Sequence, residues 1–435
     1  MNTIFNKKTS FLIAVLLMLL LGPYGDRQGS AIDQSTYKSL KTFNEVLEMV
    51  EKNYVEPVSA DKLLQGAING MIKSLDPHSS FMTEEMFKEL EVETRGSFGG
   101  VGIEITLVKD VLTVVSPIED TPAYKAGVKA GDQIIKINGD STKDITIMEA
   151  VKKLRGTKGT KVTITIMREG LTKPSDIELT RNIIVVKSIK SKIYNKNIGY
   201  IRIASFQEHT GDDLLKTIKE LKAKTNPLSG IVIDMRNNPG GLLNQSIEVS
   251  DAFLKKGIIV STRGRSKNME SKAMAKDNGD EPTCPIVIIV NEGTASASEI
   301  VSGALQDNKR AVVLGTQTFG KGSVQTVIPL EGGSALKLTT AKYYTPSGRS
   351  IQAEGITPDI VVKQTAKTEE KNGEKEPAEN HSFREKDLKG HIKSPNEKTT
   401  KNEEEKKGED NLDNDNQLKS AIDILKGLII LTDKK

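Results

Sequence analysis

Several residue types are scarce in this chain of 435 residues, and each shortage limits what the protein can be. Cys284 is the only cysteine, so an intramolecular disulfide cannot form. Its neighbours, the apolar run CPIVIIV, favour a small buried side chain over a reactive thiol. Tryptophan is absent, aromatic residues make up 4% of the chain and the net charge is only +4. Basic and aromatic residues are not interleaved, which argues against nucleic acid as a partner.

Histidine is also scarce, with four residues in the whole chain. His78 and His209 lie in segments that look folded, and the other two lie in a charged stretch near the C-terminus. No cluster of His, Cys, Asp and Glu has the spacing of metal ligands, so we expect neither a metal nor another cofactor. A hydroxyl nucleophile in this chain could therefore need a base other than histidine.

A short apolar run is confined to the N-terminus. Lys7 and Lys8 precede FLIAVLLMLLLG (11–22), and small residues follow at 29–31. This order is typical of a secretory signal peptide, and a membrane-spanning helix needs a longer run, about 20 residues. Residues 1–31 are therefore predicted to direct export to the periplasm, with cleavage near Ala31. A protein anchored in the membrane by an uncleaved signal, or a secreted protein, is the alternative.

Hydrophobic periodicity divides the following chain into three folded segments. Residues 32–87 carry apolar residues at spacings of three and four, which predicts a helical segment. Residues 88–185 change to strand-like runs with an Asn-Gly turn and a helix capping box, which predicts a compact β-rich domain. Residues 186–363 alternate buried strands with amphipathic helices, and this alternation predicts an α/β domain.

The C-terminal part is different in composition. Residues 364–416 contain few apolar residues and many Lys, Glu, Asn and Asp, so we predict a disordered, charged linker. Residues 417–435 form one more amphipathic helix. Its apolar stripe at 418–429 and the stripe at 40–54 could pair between subunits, which would make the protein a homo-oligomer.

Three hydroxyl side chains lie within five residues in NEGTASASEI (291–300), between a buried strand and a helix. Ser296 falls at the start of the helix, where unpaired N–H groups and the helix dipole would stabilise an oxyanion. Ser296 and Glu299 also fit the S-x-x-E capping box. The residues alone therefore leave both a nucleophile and a helix cap open.

Two glycine-containing stretches could complete a site. In FGKGSVQ (319–325), Lys321, Ser323 and Gln325 would share a strand face, so Gln325 could hold the lysine amine; a hairpin with a solvated lysine is the alternative. Gly322 stands where a phosphate-binding loop requires Ser or Thr, which argues against nucleotide binding. In DMRNNPGGLLNQ (234–245), two consecutive glycines would let the backbone approach a ligand, or simply form a turn.

Seven motifs, in order, resemble those of the carboxy-terminal processing peptidases, which are exported serine endopeptidases with a PDZ domain. The resemblance covers about residues 36–362 and departs from the family at His78, where tyrosine is common. It implies a crotonase/ClpP-like α/β protease domain with an inserted β-rich PDZ domain and an N-terminal helical segment. The motifs are DPHSSF, GSFGGVGIEI, PAYKAGVKAGD, RNNPGG, GTASASEI, FGKGSVQ and YYTPSGRSIQ.

The resemblance also assigns roles in catalysis. It implies that Ser296 is the nucleophile, that Lys321 is the general base and that Gln325 supports the base. It further implies an oxyanion hole formed by the N–H groups of Gly241 and Ala297. Burial would lower the pKa of Lys321 and so allow its neutral amine to take the Ser296 proton.

The PDZ resemblance implies a binding role. A substrate tail would pair with a sheet edge, with its carboxylate held by the N–H groups of Gly100, Val101 and Gly102. Val101 and Ile103 would line the pocket for the last side chain, so we expect protein substrates with apolar C-terminal tails. Arg155, at the end of the predicted PDZ helix, would either complement the helix dipole or relay PDZ occupancy to the protease domain. A catalytically inactive, PDZ-containing peptide-binding scaffold is the alternative function.

Overall fold

The structure is a computed structural model that describes residues 34–168, 170, 172–225, 227–365, 384–388, 390–393 and 415–432. The predicted signal peptide lies outside these residues. The chain forms two compact units, one up to Gly70 and one from Met71 onwards. Within the described ranges, no helix is both long and apolar enough to cross a membrane.

The N-terminal unit is helical, as its hydrophobic period predicts. It contains α1 (Gln34–Asn53) and the greater part of α2 (Ala60–Lys73). The predicted apolar stripe lies along α1, where Leu40 and Phe43 are 52% and 44% exposed and Leu47 and Val50 are half-buried.

A tight turn and a short strand open the second unit. The Asp76 carboxylate accepts the N–H groups of His78 and Ser79 at 2.8 and 2.9 Å and the Ser79 hydroxyl at 2.7 Å, which closes the DPHSS turn. β1 (Ser80–Met82) and α3 (Glu84–Arg95) follow. Gly96, with φ of 67°, ends α3 in the left-handed conformation that glycine adopts without strain.

The β-rich domain enters and leaves through a two-stranded antiparallel ribbon, in which Phe98 pairs with Ile184. Its other strands form one antiparallel sheet around a core that includes Leu112, Ile134, Ala150 and Ile164. The elements are β2 (Ser97–Gly100), β3 (Ile103–Val108), β4 (Val111–Pro117), α4 (Pro122–Lys125), β5 (Gln133–Ile137), β6 (Asp140–Ser141), α5 (Ile147–Leu154), β7 (Lys161–Met167), β8 (Ser175–Thr180) and β9 (Asn182–Val185).

The α/β domain is built on a six-stranded sheet. Its elements are β10 (Ile189–Tyr194), β11 (Ile198–Ile203), α6 (Thr210–Lys224), β12 (Gly230–Asp234), α7 (Leu243–Asp251), β13 (Ile258–Gly264), β14 (Glu270–Met274), β15 (Ile286–Val290), α8 (Ala297–Asp307), β16 (Val312–Gly315), β17 (Ser323–Pro329), β18 (Ala335–Tyr344) and β19 (Ile360–Val361). The strand order is β10-β11-β12-β15-β16-β19, and all pairs except β10 with β11 are parallel. Every residue of β12 and β15 is buried, as expected for a parallel sheet covered on both faces.

A second sheet brings distant parts of the chain together. It has the order β1-β18-β13-β14, and β17 pairs with β18. In this antiparallel pair Gln325 lies opposite Thr339, and β1 joins the other edge of β18 through Phe81 and Leu336. The DPHSS turn, which precedes β1, and the start of β17 therefore approach the same strand, β18, from its two edges.

The C-terminal helix α9 (Asn416–Thr432) packs against one face of the six-stranded sheet. Its side chains Leu418, Ala421, Ile422 and Leu425 are buried there, none more than 5% exposed. Four residues of the stripe at 418–429 that we predicted to pair between subunits are thus already covered within the chain. An amphipathic pattern shows that a helix face is buried, but it does not show which surface buries it.

Within the predicted disordered linker over 364–416, the structure describes residues 364–365, 384–388, 390–393 and 415–416. Glu385 is completely buried there, at 0% exposure. Composition predicts disorder from an average, and it does not register one acidic side chain that finds buried partners. Residues 366–383, 389 and 394–414 of the predicted linker lie outside the described residues.

Candidate active site

Ser296 occupies a sharp turn between β15 and α8. Its φ of 57° is uncommon for a residue with a side chain, so the surrounding structure must hold it there. The hydroxyl of Thr294 donates to the Met235 carbonyl at 2.8 Å, and the Ala295 N–H donates to the Asn238 carbonyl at 2.9 Å. The turn is therefore fastened to the loop after β12, and Ser296 is 8% exposed.

The carboxylate of Glu299 fastens the turn from the other side. It accepts the Ser296 N–H at 2.7 Å, while the Glu299 N–H donates to the Ser296 carbonyl at 2.9 Å. The Glu299 side chain thus caps the start of the helix, as the S-x-x-E pattern suggests. Glu299 itself has no exposed surface.

Glu299 also binds the loop that carries Lys321. Its Oε1 accepts the Gly320 N–H at 2.8 Å and the Thr318 hydroxyl at 2.6 Å, and its Oε2 accepts the Lys321 N–H at 2.9 Å. Burial raises the pKa of Glu299 to about 7, although these donors favour the ionised form. One buried side chain therefore sets the position of both candidate catalytic residues.

The environment of Lys321 favours a neutral amine. Burial lowers its pKa from the usual value, and the positive charge of Lys337 lowers it further. Glu385, Glu299 and Asp76 oppose this effect, but the net shift is downward. Among the described residues, no hydrogen bond joins the Lys321 amine to the Ser296 hydroxyl; such bonds often form only when substrate is bound.

Gln325 lies on β17, just after the loop that carries Lys321. It does not hold the lysine amine as expected. Its amide donates to the Ser323 hydroxyl at 2.8 Å and approaches the Thr339 hydroxyl at 3.4 Å. Thr339 in turn donates to the Asp76 carboxylate at 3.2 Å. In this structure Gln325 therefore links β17 to β18 and to the DPHSS turn.

Two glycines allow the loop after β12 to approach the Ser296 turn. A Cβ atom on Gly240 would lie 2.8 Å from the Ser296 Cβ, and one on Gly241 would lie 2.2 Å from the Phe206 carbonyl oxygen. The Gly240 N–H already donates to the Asn238 side chain at 2.9 Å. Within the described structure the N–H groups of Gly241 and Ala297 have no such partner, so both are available to an oxyanion.

A buried charge network supports this loop, and the sequence did not reveal it. Arg236 donates to Asp234 at 2.6 Å and to Asp415, just before α9, at 2.7 Å. Burial alone would raise the pKa of Asp234, but the hydrogen bonds and charge of Arg236 outweigh it and lower that pKa. The signal was present in DMRNN, where an acid and a base follow a fully apolar strand.

The β-rich domain carries a small groove, with a cavity of about 80 Å³. All four residues predicted to bind a substrate tail line it: Gly100, Val101, Gly102 and Ile103. Arg155 also lines the groove, and its guanidinium lies 4.7 Å from the centre of the Phe98 ring. Its side chain therefore stacks on the ribbon through which this domain joins the protease domain.

Metal ligands are not assembled elsewhere in the part of the chain that the structure describes. No group of three or more His, Cys, Asp or Glu side chains there could hold a metal ion.

Family models match three successive parts of the chain. Residues 25–86 match the N-terminal domain of the activating protease CtpB, residues 99–179 match a PDZ domain, and residues 197–362 match peptidase family S41. The carboxy-terminal-processing protease of Bartonella bacilliformis is 52% identical over 369 residues, which is 84% of this chain and 83% of that protein. This chain belongs to the carboxy-terminal processing proteases. It is a serine-type peptidase.

Two further relatives have lower sequence identity to this chain. The carboxy-terminal processing protease CtpA of Bacillus subtilis strain 168 is 40% identical over 318 residues, 73% of this chain and 67% of its own. A solved structure of the photosystem II D1 C-terminal processing protease is 30% identical, covers 74% of this chain and 92% of its own, and has a TM-score of 0.43. The predicted architecture of this processing protease is confirmed: an α/β protease domain, an inserted PDZ domain and N-terminal helices.

Proposed function

We propose that this protein is an exported endopeptidase that captures the C-terminal tail of a protein substrate in its PDZ groove and cleaves nearby with Ser296 and Lys321. The observation that carries the proposal is the shared clamp: the Ser296 turn and the Lys321 loop are bound to one Glu299 carboxylate. The lowered pKa of Lys321 supports its role as base, because an amine must lose its proton before it can accept one.

The reaction starts with proton transfer from the Ser296 hydroxyl to the neutral Lys321 amine. The serine oxygen forms a bond to the scissile carbonyl carbon, and the resulting oxyanion accepts the N–H groups of Gly241 and Ala297. The carbon–nitrogen bond then breaks as the Lys321 ammonium gives its proton to the leaving amine. Water attacks the acyl ester with Lys321 again as base, and Ser296 is regenerated.

The PDZ groove supplies the selection of substrate. A C-terminal peptide pairs with the sheet edge beside the groove, and its carboxylate is bound by N–H groups at Gly100, Val101 and Gly102. The cavity is small and Val101 is 2% exposed at its wall, which suits an apolar final side chain. Arg155, at the end of this groove and against the ribbon, is placed to relay occupancy to the protease domain.

The site of action follows from the N-terminal sequence. Residues 1–31 have the order of a signal peptide, so we place the mature enzyme in the periplasm. N-terminal sequencing of the protein purified from the periplasmic fraction should find a chain that begins near residue 32. A chain that retains Met1 in the membrane fraction would support an uncleaved anchor instead.

Labelling with a serine-reactive phosphonate tests the catalytic part directly. The wild-type protein should be labelled at Ser296, and Ser296→Ala should lose both the label and cleavage of an unstructured protein substrate. Lys321→Ala should also lose both, because the serine is then not activated. Ser302→Ala is the matched control: its hydroxyl bonds only to the Ser298 carbonyl in the same helix, at 2.8 Å. Absent labelling and cleavage in the wild type would support a peptide-binding scaffold instead.

A further inference from the structure

A segment far along the chain lies against the lysine loop. We call it the strap: residues 384–388 and 390–393. The Glu385 N–H donates to the Phe319 carbonyl at 3.2 Å, and the Lys342 amine donates to the Lys393 carbonyl at 3.1 Å. The strap therefore extends from the loop that carries Lys321 to strand β18, although it follows Lys321 by more than sixty residues in the sequence.

The side chain of Glu385 is the anchor of the strap. It has no exposed surface, and its oxygens bind the His78 Nε2 atom at 2.6 and 2.8 Å and the Gln352 amide at 2.9 Å. A carboxylate is costly to bury without partners, so these three contacts fix its place. His78 is also the residue at which the DPHSSF motif departs from the tyrosine common in the family.

Glu385 acts on both sides of Lys321. On one side its backbone holds the Phe319 carbonyl. On the other, Gln352 links it to Gly322, whose N–H donates to the Gln352 side-chain oxygen at 3.0 Å. A Cβ atom on Gly322 would lie 2.3 Å from the backbone nitrogen of Gln352, so only glycine permits this close contact. Neither contact belongs to the Glu299 clamp.

The charged groups that face Lys321 come from several elements. Lys337 on β18 disfavours its ammonium form, while Glu385, Glu299 and Asp76 favour it. Glu299 and Asp76 each accept backbone N–H groups within their own turns or the lysine loop, which fixes them in the fold. Of these three carboxylates, that of Glu385 comes from the strap, and it binds the ring of His78.

We propose that Glu385 is a positioning residue for Lys321 and that its buried charge sets the pH range in which the peptidase is active. The proposal rests on the proposed function, since it requires Lys321 to be the base. With the strap seated, the Glu385 charge retains the proton on Lys321 until a higher pH. When that charge is removed, the amine becomes neutral, and hence active, at a lower pH.

The pH profile of kcat/KM with an unstructured peptide substrate tests this. Glu385→Gln keeps the shape of the side chain and removes its charge, so the acid limb should move to lower pH by up to about one unit. Activity on that limb should rise by up to about tenfold at a fixed pH. Lys337→Gln should move the limb in the opposite direction, which a general loss of stability would not do. Asp387→Asn, an exposed charge on the same strap, should leave the limb in place.

An unmoved acid limb in Glu385→Gln would overturn the proposal. If thermal unfolding shows that this variant does not fold, Glu385→Asp replaces it: it withdraws the carboxylate by one methylene, and an unmoved limb there also overturns the proposal. Phosphonate labelling of Ser296 in the same preparations distinguishes a failure of the proposed Ser-Lys function from a failure of the role proposed for Glu385. A wild-type enzyme without the label would mean that the Ser-Lys function fails, whereas a labelled enzyme with an unmoved limb would refute only the role of Glu385.

Discussion

Ser296 and Lys321 donate their backbone N–H groups to the same atom, Oε2 of Glu299, at 2.7 and 2.9 Å. Because the acceptor is shared and buried, the two loops cannot separate without leaving the N–H donor of at least one of them unpaired. The contact fixes the backbones and leaves both side chains to act on substrate. We therefore expect Glu299 to affect catalysis without touching the reacting atoms.

Replacement of Glu299 should damage the site while Ser296 and Lys321 remain. Glu299→Gln turns one acceptor into an NH₂ group that faces donors, so the two loops should shift apart. A displacement of about 1 Å between reacting groups can lower the rate about 10²-fold. We expect a loss of kcat of that order, measured with a peptide substrate.

A neighbouring glutamate is the control for this effect. Glu292→Gln changes a residue of the same turn region that accepts only the Thr316 hydroxyl, at 3.1 Å, and it should leave kcat nearly unchanged. Equal kcat in Glu299→Gln and the wild type would show that the shared acceptor is not needed.

The activity should rise with pH through the lowered pKa of Lys321. The lysine is the base only when neutral, so kcat/KM should fall about tenfold for each pH unit below that pKa and reach a plateau above it. The rise in kcat/KM should be centred at a pH below 10.5, the usual pKa of lysine. Lys321→Arg should be inactive across the range, because a guanidinium does not lose its proton in proteins. A profile that is flat from pH 6 to about 10, with chemistry limiting the rate, would contradict a desolvated base.

The sequence predicted the parts of the site that lie in local motifs. Ser296 and Lys321 stand in short patterns whose residues are close in the chain, and the free N–H groups of Gly241 and Ala297 follow from a Gly-Gly loop and a helix start. Strand and helix patterns likewise predicted the α/β and β-rich domains. Local patterns are enough for such predictions because each is completed within about ten residues.

Long-range contacts were beyond the same patterns. The sequence motif predicts that Glu299 caps a helix. It does not show that the Glu299 oxygens also accept hydrogen bonds from the loop at 318–321. Asp415 and Glu385 lie in a stretch whose composition predicts disorder, yet each is buried by a partner that is far away in sequence. Their roles become visible only when the fold places those partners.

The buried pair of Arg236 and Asp415 should stabilise the protease domain. Asp415→Ala leaves part of a buried guanidinium without its carboxylate, and breaking such a pair costs about 3 kcal/mol. We expect a corresponding fall in the free energy of unfolding, measured with urea. Asp423→Ala on the same helix is the control: Asp423 is 56% exposed and pairs only with Lys426, so its loss should have little effect. Equal stability of the two variants would count against the anchoring role of Asp415.

Arg155 should couple the PDZ groove to cleavage. Its guanidinium stacks on Phe98 at the ribbon between the domains, a contact that a merely dipole-complementing residue would not need. Arg155→Ala should lower the cleavage of tail-bearing substrates several-fold and leave the cleavage of short, tail-less peptides unchanged. Lys153→Ala, which removes a cation on the same helix that pairs with Asp140 inside the PDZ domain, should change neither. Wild-type kinetics of Arg155→Ala with tail-bearing substrates would leave Arg155 with a helix-end role alone.

Selection by the C-terminal tail should depend on both the carboxylate and the last side chain. The small groove is lined by Gly100, Val101 and Gly102, whose N–H groups we propose for the carboxylate, and by Ile103. Hydrogen bonds to a charged group contribute about 1.5–3 kcal/mol each, so the loss of one should weaken capture about tenfold or more. An unstructured reporter protein with an Ala-Ala tail should be degraded, and adding two Asp residues or amidating its carboxylate should protect it. Val101→Asp should lose this discrimination while phosphonate labelling of Ser296 persists; degradation of all three tails at one rate by the wild type would disprove selection by the PDZ groove.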